Sequence, residues 1–387
     1  MLTTLAIANY RSIRHLVIPL NRLNIVTGAN GSGKSSLYHA LRLLAFTAQG
    51  RLIAALADEG GLQSTLWAGP ETISAAVRQG EHSPQGTRRK EPVNLKLGFG
   101  TGQLGYAIDL GLPLPSSSMF GSDPEIKREC IWSGAVLRPA ALLVDRKNWT
   151  VHTRASDGAW RQMTETLSPF DSMLAELADP NAAPEMLMLR EQIRSWRFYD
   201  QLRTDIDAPA RRAQIATHTA VLTADGASLA ATWQTIREIG DAAALNDAVS
   251  DAFPGARVGV RQVGNGLQIE MWQHGLLRAL SAAELSEGTL RYLLCIAALL
   301  SPRPPALMVL NEPETSLHPD LLPALARLIV KASGESQIVV VSHSTRLAAA
   351  LEREGDAATM TLEKDYGETV IQGVHALERP AWHWPKR

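Results

Sequence analysis

The sequence has few cysteines, no long apolar run and no excess of charge of either sign. Only two of its 387 residues are cysteines, Cys130 and Cys295, so a disulfide framework is excluded. The longest apolar stretch, residues 292–300, is far shorter than the roughly 20 residues that a membrane helix needs. The first residues also lack the basic-then-apolar pattern of a signal peptide. We therefore expect a cytoplasmic protein that makes no membrane contact.

The formal net charge of −1 gives the chain no overall field that would draw it onto nucleic acid. Binding to DNA would thus need a local basic patch. Three groups of arginines are candidates for it: Arg190, Arg194 and Arg197 on one helix face, and the pairs Arg88–Arg89 and Arg211–Arg212. A charged stripe is more often a solvated helix face, so composition neither supports nor excludes DNA as a partner.

The pattern along the chain predicts an α/β protein in three consecutive parts. Residues 1–168 form an N-terminal lobe with an antiparallel, β-rich section, because strand-like runs alternate between 93 and 153. Residues 169–275 form a partly helical insertion. Residues 276–387 form a C-terminal lobe in which helices and strands alternate, which favours a parallel sheet.

Several local elements can be predicted inside these parts from periodicity and turn residues. They are two strands in 2–18 interrupted at 9–12, a strand at 22–27, a helix in 35–56, a helix from Pro184 to Arg203, helical structure in 226–250, and a hairpin in 256–272 across Gly264-Asn265-Gly266.

A glycine-rich turn between the strand at 22–27 and the following helix fits the pattern G-x-x-x-x-G-K-[ST] in full. Glycines let backbone N–H groups surround a β-phosphate, and the helix adds its positive N-terminal end. Lys34 would reach the β- and γ-phosphates, and the Ser35 hydroxyl would bind Mg²⁺. We predict ATP and Mg²⁺ as ligands, held by Gly28, Ala29, Asn30, Gly31, Ser32, Gly33, Lys34, Ser35 and Ser36.

A second set of candidate residues follows the apolar run 306–310, which is typical of a central parallel strand. In P-loop proteins an acid at such a strand end acts on the Mg²⁺ shell, and a following Glu can orient the attacking water. Glu312 is therefore the candidate general base. Asn311 stands where an Asp is expected, and an amide oxygen is a weaker metal ligand than a carboxylate. We expect reduced Mg²⁺ affinity and turnover.

The next strand, predicted at 337–341, is followed by Ser342-His343-Ser344. A histidine just past a parallel strand lies at the carboxyl edge of the sheet, where ligands bind. His343 is therefore predicted to stabilise charge on the γ-phosphate.

These motifs in this order resemble the ABC-type ATPase heads of the RecF, SMC and OLD-like group, in particular its short AAA-like branch. The similarity covers about residues 1–45 and 275–350. Four further segments carry it: the opening Ile7-Ala8-Asn9-Tyr10-Arg11-Ser12-Ile13, Leu285-Ser286-Glu287-Gly288-Thr289 at the place of the signature motif, Thr315-Ser316-Leu317-His318-Pro319 at the place of the D-loop, and His343 as the switch histidine.

The resemblance implies a two-lobed P-loop NTPase fold of the ABC-ATPase-head type. It implies that Ser286 and Gly288, at a helix N-terminus, cap the γ-phosphate of ATP held by a second copy, so ATP binding would produce a homodimer. Lys34, Glu312 and His343 would be the catalytic residues. Ser35, Asn311 and Gln63, a candidate for the Q-loop glutamine, would act at the metal.

Three functions remain open at this point. The first is a DNA-associated ATPase in repair, genome maintenance or anti-phage defence. The second is an ATP-dependent regulatory switch that holds a separate effector protein, which the Asn at 311 favours. A transporter subunit is the third and is disfavoured, because about 250 residues separate Lys34 from Ser286. Trp382 and Trp384 are expected to anchor the C-terminal tail rather than to stack on a partner.

Overall fold

The computed structural model describes residues 1–70, 94–115, 117, 119–155, 157–164, 166–374 and 378–386. The chain divides into two compact units. The first comprises Met1–Asn21, Gly28–Ser195 and Met360–Arg387, and the second comprises Arg22–Thr27 and Trp196–Thr359. Both units therefore combine segments that are distant in the sequence, whereas the three consecutive parts expected above stay a prediction.

The strands of the described residues are numbered in chain order. They are β1 (Leu2–Tyr10), β2 (Ile13–Pro19), β3 (Leu23–Gly28), β4 (Leu95–Thr101), β5 (Leu104–Gly111), β6 (Glu125–Ser133), β7 (Leu142–Lys147), β8 (Thr150–Arg154), β9 (Trp160–Thr164), β10 (Arg197–Tyr199), β11 (Gln214–Ile215), β12 (Arg257–Val263), β13 (Gly266–Trp272), β14 (Leu280–Ser281), β15 (Leu307–Asn311), β16 (Gln337–Val341), β17 (Ala357–Asp365) and β18 (Glu368–Ile371).

The α-helices are numbered in the same way. They are α1 (Lys34–Thr47), α2 (Leu52–Asp58), α3 (Leu62–Thr65), α4 (Met173–Glu176), α5 (Pro184–Arg194), α6 (Leu229–Ile239), α7 (Ala242–Ala252), α8 (Glu287–Leu299), α9 (Leu322–Ser333) and α10 (Thr345–Glu354). No helix in these described ranges is both long enough and apolar enough to cross a membrane.

The first unit contains an eight-stranded sheet in the order β2-β1-β4-β5-β6-β7-β8-β9, with antiparallel neighbours throughout. The antiparallel meander predicted between residues 93 and 153 is thus confirmed. Its first strands are interrupted where the sequence indicated, since Asn9 and Arg11 adopt positive φ values of 60° and 49°. β17 pairs with β18 in an antiparallel arrangement, with Leu362 opposite Ile371.

The C-terminal tail packs on this antiparallel sheet. The indole of Trp382 lies 5.4 Å from the ring of Trp132 and 5.4 Å from that of Trp384, both edge to face. A Cβ at Gly98 would lie 2.6 Å from the Trp382 ring, so the absence of a side chain there gives the indole its place. The two tryptophans therefore anchor the tail, as expected.

The second unit is built around parallel strands in the order β10-β15-β16-β3. The register places Asn311 beside Val341 and Val341 beside Val26, so the three strands end at the same edge. Residues 307–310 and 338–341 are at most 2% exposed, as expected of central parallel strands. The parallel arrangement predicted for the C-terminal lobe is confirmed.

A small antiparallel sheet completes the second unit, in the order β11-β13-β12 with β14 beside β13. The predicted hairpin is present: β12 pairs with β13 across Gly264 and Asn265, and Val263 lies opposite Gly266. Gly264 has a φ of 57°, which suits the tight turn.

One helix prediction was wrong at its C-terminal end. The sequence indicated a helix from Pro184 to Arg203, but α5 ends at Arg194 and residues 197–199 form β10, a parallel neighbour of β15. The apolar face of α5 is buried as predicted. The strand forms because Phe198 and Tyr199 are buried beside β15, and tertiary pairing of this kind overrides the helical pattern.

Candidate functional site

The phosphate-binding loop lies between β3 and α1, as predicted. Its three glycines have φ values of 142° (Gly28), 77° (Gly31) and 108° (Gly33), a region that favours glycine. Contacts impose a second constraint on two of them. A Cβ at Gly28 would lie 2.3 Å from the Leu362 carbonyl oxygen, and one at Gly33 would lie 2.1 Å from the Thr369 Oγ1 atom. Glycine is therefore required at both positions.

The Lys34 ammonium group is held against the loop. Its Nζ donates to the carbonyl oxygens of Gly28, at 2.6 Å, and Ala29, at 2.9 Å, and the residue is only 5% exposed. Ser35 is exposed in the first turn of α1, where backbone N–H groups lack intrahelical acceptors. This combination of an ammonium group, the N-terminal N–H groups of a helix and an exposed hydroxyl suits a triphosphate with Mg²⁺.

Two residues that support this loop were not identified as site residues from the sequence. Thr369 Oγ1 donates to the Ser32 carbonyl oxygen at 2.9 Å, and it shares a 2.8 Å hydrogen bond with Ser12 Oγ. The Thr369 backbone N–H donates to the Ser12 carbonyl oxygen at 2.8 Å. The sequence could have indicated Ser12, because it belongs to the opening segment that carries the family resemblance. Nothing in the sequence indicated Thr369.

The ends of β15 and β16 bring Glu312 and His343 together. The Glu312 backbone N–H donates to the Val341 carbonyl oxygen at 2.7 Å, and its φ of 49° lies in the left-handed region. Glu312 Oε1 lies 2.5 Å from His343 Nε2, with both side chains about two-fifths exposed. The distance is that of a hydrogen bond, so the carboxylate and the imidazole are directly coupled.

Glu314 connects the two strand ends, a role that was not assigned from the sequence. Its Oε1 accepts three hydrogen bonds: from Ser342 Oγ at 2.5 Å, from the His343 N–H at 3.1 Å and from the Ser344 N–H at 3.2 Å. Ser344 caps α10, so the carboxylate lies at the positive end of that helix. Only its place two residues after Glu312 could have suggested this role.

Arg291 connects the predicted signature helix α8 to the same turn. The residue is 6% exposed, and its guanidinium donates to the carbonyl oxygens of Leu202, at 2.7 Å, and Glu312, at 3.2 Å. The sequence could have indicated Arg291, because it is the single charged residue within the apolar run of α8. Its hydrogen bond to Glu312 fixes the backbone of the candidate general base.

The predicted signature residues lie at the start of α8. Ser286 is the N-cap, and its Oγ accepts from the Thr289 N–H at 3.1 Å. A Cβ at Gly288 would lie 2.6 Å from the carbonyl oxygen of Ser316, a residue of the predicted D-loop with a φ of 65°. Glycine at 288 therefore allows the helix start to pack on the D-loop.

The remaining metal candidates lie in different surroundings. Asn311 is the last residue of β15 and is half-buried. Gln63 is exposed on the short helix α3 and lines a groove of about 830 Å³ in the first unit, together with Trp67 and Lys147. Their roles at Mg²⁺, like those of the other site residues, stay predictions.

The arginines considered for DNA binding are largely used inside the protein. Arg211 is 8% exposed and donates to backbone carbonyl oxygens, including that of Leu285 at 2.7 Å. Arg212 pairs with Asp207 at 3.1 Å, and Arg194 donates to the Ala48 carbonyl oxygen at 3.0 Å. Arg88 and Arg89 lie outside the described residues. The described arginines named here are thus engaged in contacts within the chain.

Comparison with known families identifies residues 23–349 as a match to the family described as "AAA domain, putative AbiEii toxin, Type IV TA system". The match includes the phosphate-binding loop, Glu312 and His343. No curated protein matches the sequence.

The structure resembles that of an SMC head bound to the C-winged helix domain of ScpA, with a TM-score of 0.52 and 13% identity over 96% of each chain. The SMC head domain of Thermotoga maritima gives a TM-score of 0.48 and 15% identity, over 97% of this chain and 99% of the other. A Pyrococcus furiosus SMC head with an extended coiled coil, bound to the C-terminal domain of ScpA, gives 0.47 and 13%, over 96% and 95%. The first likeness confirms the predicted α/β fold of an ABC-type ATPase head.

Proposed function

Because the chain belongs to the AAA-domain family described as putative AbiEii toxin of a Type IV TA system, we propose that it binds Mg·ATP and hydrolyses it. It is an ABC-type P-loop ATPase of the RecF, SMC and OLD-like group. The main support for proposing hydrolysis is the 2.5 Å contact between Glu312 Oε1 and His343 Nε2 at neighbouring strand ends.

In the proposed reaction each group has one task. The loop of residues 28–36 surrounds the phosphates, and Lys34 neutralises the β- and γ-phosphate oxygens. The Ser35 hydroxyl, with Asn311 and Gln63 as further candidates, serves the Mg²⁺ ion, which would neutralise charge on the phosphates. Glu312 accepts a proton from the attacking water, and His343 stabilises charge that develops on the γ-phosphate.

The proposed quaternary event is an ATP-dependent homodimer. Ser286 and Gly288 lie at the N-terminus of α8, which presents N–H groups and a partial positive charge. We propose that this helix end caps the γ-phosphate bound by a second copy, so that two nucleotides join two chains at an isologous interface. Hydrolysis would then separate the two chains.

The test combines light scattering after size exclusion with a phosphate-release assay. Glu312→Gln should form a dimer in Mg·ATP and release essentially no phosphate, whereas the parent releases phosphate slowly. Glu335→Gln is the matched control, because Glu335 is an exposed residue beyond α9 that takes no part in the proposed chemistry. An unchanged mass in Mg·ATP, with phosphate release unaffected by Glu312→Gln, would contradict the proposal and leave a P-loop nucleotide binder.

The target of the ATP cycle is proposed to be DNA, in repair, genome maintenance or anti-phage defence. One observation favours the alternative target, a separate effector protein that the ATP-bound dimer holds. Asn311 at the end of β15 removes a carboxylate from the expected metal site, which suits a slow switch. Purification of the Glu312→Gln dimer from its native host separates the two: co-purified DNA supports the first target, and one stoichiometric protein supports the second.

A further inference from the structure

A groove of about 870 Å³ in the second unit lies apart from the strand ends that carry Glu312 and His343. It is formed by helices α6 and α7 and by the hairpin of β12 and β13. No acidic side chain lines it among the described residues. The lining residues with polar or aromatic groups are Arg237, Asn246, Ser250, Arg257 and Trp272.

The aromatic element of the groove is Trp272, whose side chain remains 40% exposed at the end of β13. Gly259 on β12 leaves room for it, since a Cβ there would lie 3.0 Å from the indole ring. Four other tryptophans of the described chain, at 67, 132, 196 and 233, are buried, whereas the Trp272 ring is partly accessible to a ligand. An accessible indole beside a glycine is a suitable platform for a flat ring.

The cationic elements flank this indole. Arg257 is directly opposite Trp272 in the hairpin register, and an Nη atom of Arg237 lies 3.8 Å from the Cβ position of Gly259. Both arginines are exposed, and neither forms an ion pair with any residue that the structure describes. Their positive charge is thus available to an external anion.

The nearest acidic residue along β13 is already neutralised. Glu270, two positions before Trp272, pairs with Arg261 at 2.5 Å and is only 16% exposed. On α7, Asp251 pairs with Arg327 at 2.7 Å. The groove therefore combines two available guanidinium groups and an indole, with the amide and hydroxyl groups of Asn246 and Ser250 on one exposed face of α7.

We propose that this groove binds single-stranded nucleic acid, with a base stacked on Trp272 and phosphates on Arg237 and Arg257. A base in a duplex is already stacked on its neighbours, so an indole platform selects unpaired strands. Guanidinium groups bind phosphates in a bidentate manner and produce a salt-dependent affinity. The choice of nucleic acid as the ligand rests on the proposed function, in which the ATPase acts on DNA. The groove would be the surface that contacts the strand.

The test measures fluorescence anisotropy of a labelled oligothymidylate of roughly 16 nucleotides, a length typical of such sites. Trp272→Ala should weaken binding about tenfold or more, and Trp272→Phe should restore most of it. Arg237→Ala and Arg257→Ala should weaken binding and reduce its dependence on salt. The matched controls are Arg303→Ala, an exposed arginine of the second unit that does not line the groove, and Trp149→Ala, an exposed tryptophan of the first unit.

The outcomes distinguish this inference from the proposed ATPase function. Phosphate release should stay at the parent rate in Trp272→Ala, because the groove takes no part in hydrolysis. If the protein hydrolyses ATP but does not bind oligothymidylate, the proposed binding role of the groove is wrong and the ATPase proposal stands. Equal affinity for duplex DNA, or for polyglutamate of the same charge, overturns the single-strand assignment. If the parent protein releases no phosphate, the ATPase proposal is wrong. The oligothymidylate binding series still tests whether the groove binds single strands.

Discussion

The Glu314 carboxylate accepts the backbone N–H of His343 at 3.1 Å, and so fixes the histidine that contacts Glu312. The same oxygen also accepts from Ser342 and Ser344. The three donors come from the turn between β16 and α10. A residue outside the proposed catalytic set can therefore determine where the His343 imidazole lies.

Substitution of Glu314 should consequently reduce turnover without changing nucleotide affinity. In Glu314→Ala the Ser342 hydroxyl and the His343 N–H lose their acceptor, whereas the Ser344 N–H keeps Ser342 Oγ at 2.9 Å. The loss costs on the order of 1–3 kcal/mol for each donor that stays buried. We expect kcat to fall at least about tenfold and Tm to decrease, with the Kd for Mg·ADP unchanged. Glu314→Gln keeps an acceptor oxygen and should recover part of the loss. Steady-state kinetics and calorimetry measure these effects.

The control for this series is Glu335→Gln, which should behave as the parent. Parent kcat in Glu314→Ala would show that His343 keeps its place without the carboxylate. A rise in the Kd for Mg·ADP that matches the loss of kcat would also contradict the positioning role.

Asn311→Asp should allow hydrolysis at a lower Mg²⁺ concentration. A carboxylate at the end of β15 replaces an amide oxygen, and a contact to a charged group is worth about 1 kcal/mol more than a neutral one. That difference corresponds to a factor of about five. We expect the half-saturating Mg²⁺ concentration for phosphate release to fall by about this factor.

Asn265→Asp is the matched control for charge, because Asn265 is exposed in the turn between β12 and β13. It adds the same negative charge to the same unit. A similar change of Mg²⁺ dependence in both variants would assign the effect to net charge rather than to a metal contact.

Two glycines of the phosphate-binding loop should respond differently to alanine. A Cβ at Gly33 meets Thr369 at 2.1 Å, whereas nothing lies within 4 Å of a Cβ at Gly31. Both have positive φ, so each alanine carries a backbone cost of roughly 1–2 kcal/mol. We expect Gly33→Ala to lose Mg·ADP binding measured by calorimetry, and Gly31→Ala to keep it. Equal losses would show that backbone strain, rather than the contact with Thr369, decides the effect.

The two cysteines should be unreactive in the folded protein. Burial raises the pKa of Cys295 to about 11, and burial likewise raises the pKa of Cys130 well above its ordinary value. A thiol reagent at about pH 8 should therefore label neither one until denaturant is added. Because the folded state favours the neutral Cys295 thiol, its contribution to stability is lost as pH rises from the ordinary thiol value, about 8.5, through 11. Rapid labelling of the native chain would contradict this burial.

The sequence by itself determined the elements that depend on short-range patterns. The glycine-lysine-serine loop between a strand and a helix, the apolar run before Asn311 and the hairpin turn at Gly264 each follow from local conformational preferences. The contact of Glu312 with His343 could also be anticipated, because parallel strands that are neighbours end at the same edge.

Tertiary structure decided the features that join distant residues. Neither periodicity nor spacing indicated that Thr369 would support the loop at Ser32, or that Arg291 would hold the Glu312 carbonyl. The same holds for Arg211, which the sequence offered as a basic residue and the fold buries among backbone carbonyls. Residues 197–199 became a strand only because β15 provided a partner. Local sequence fixes backbone preference and apolar faces, whereas hydrogen-bond partners far along the chain depend on how the folded segments pack.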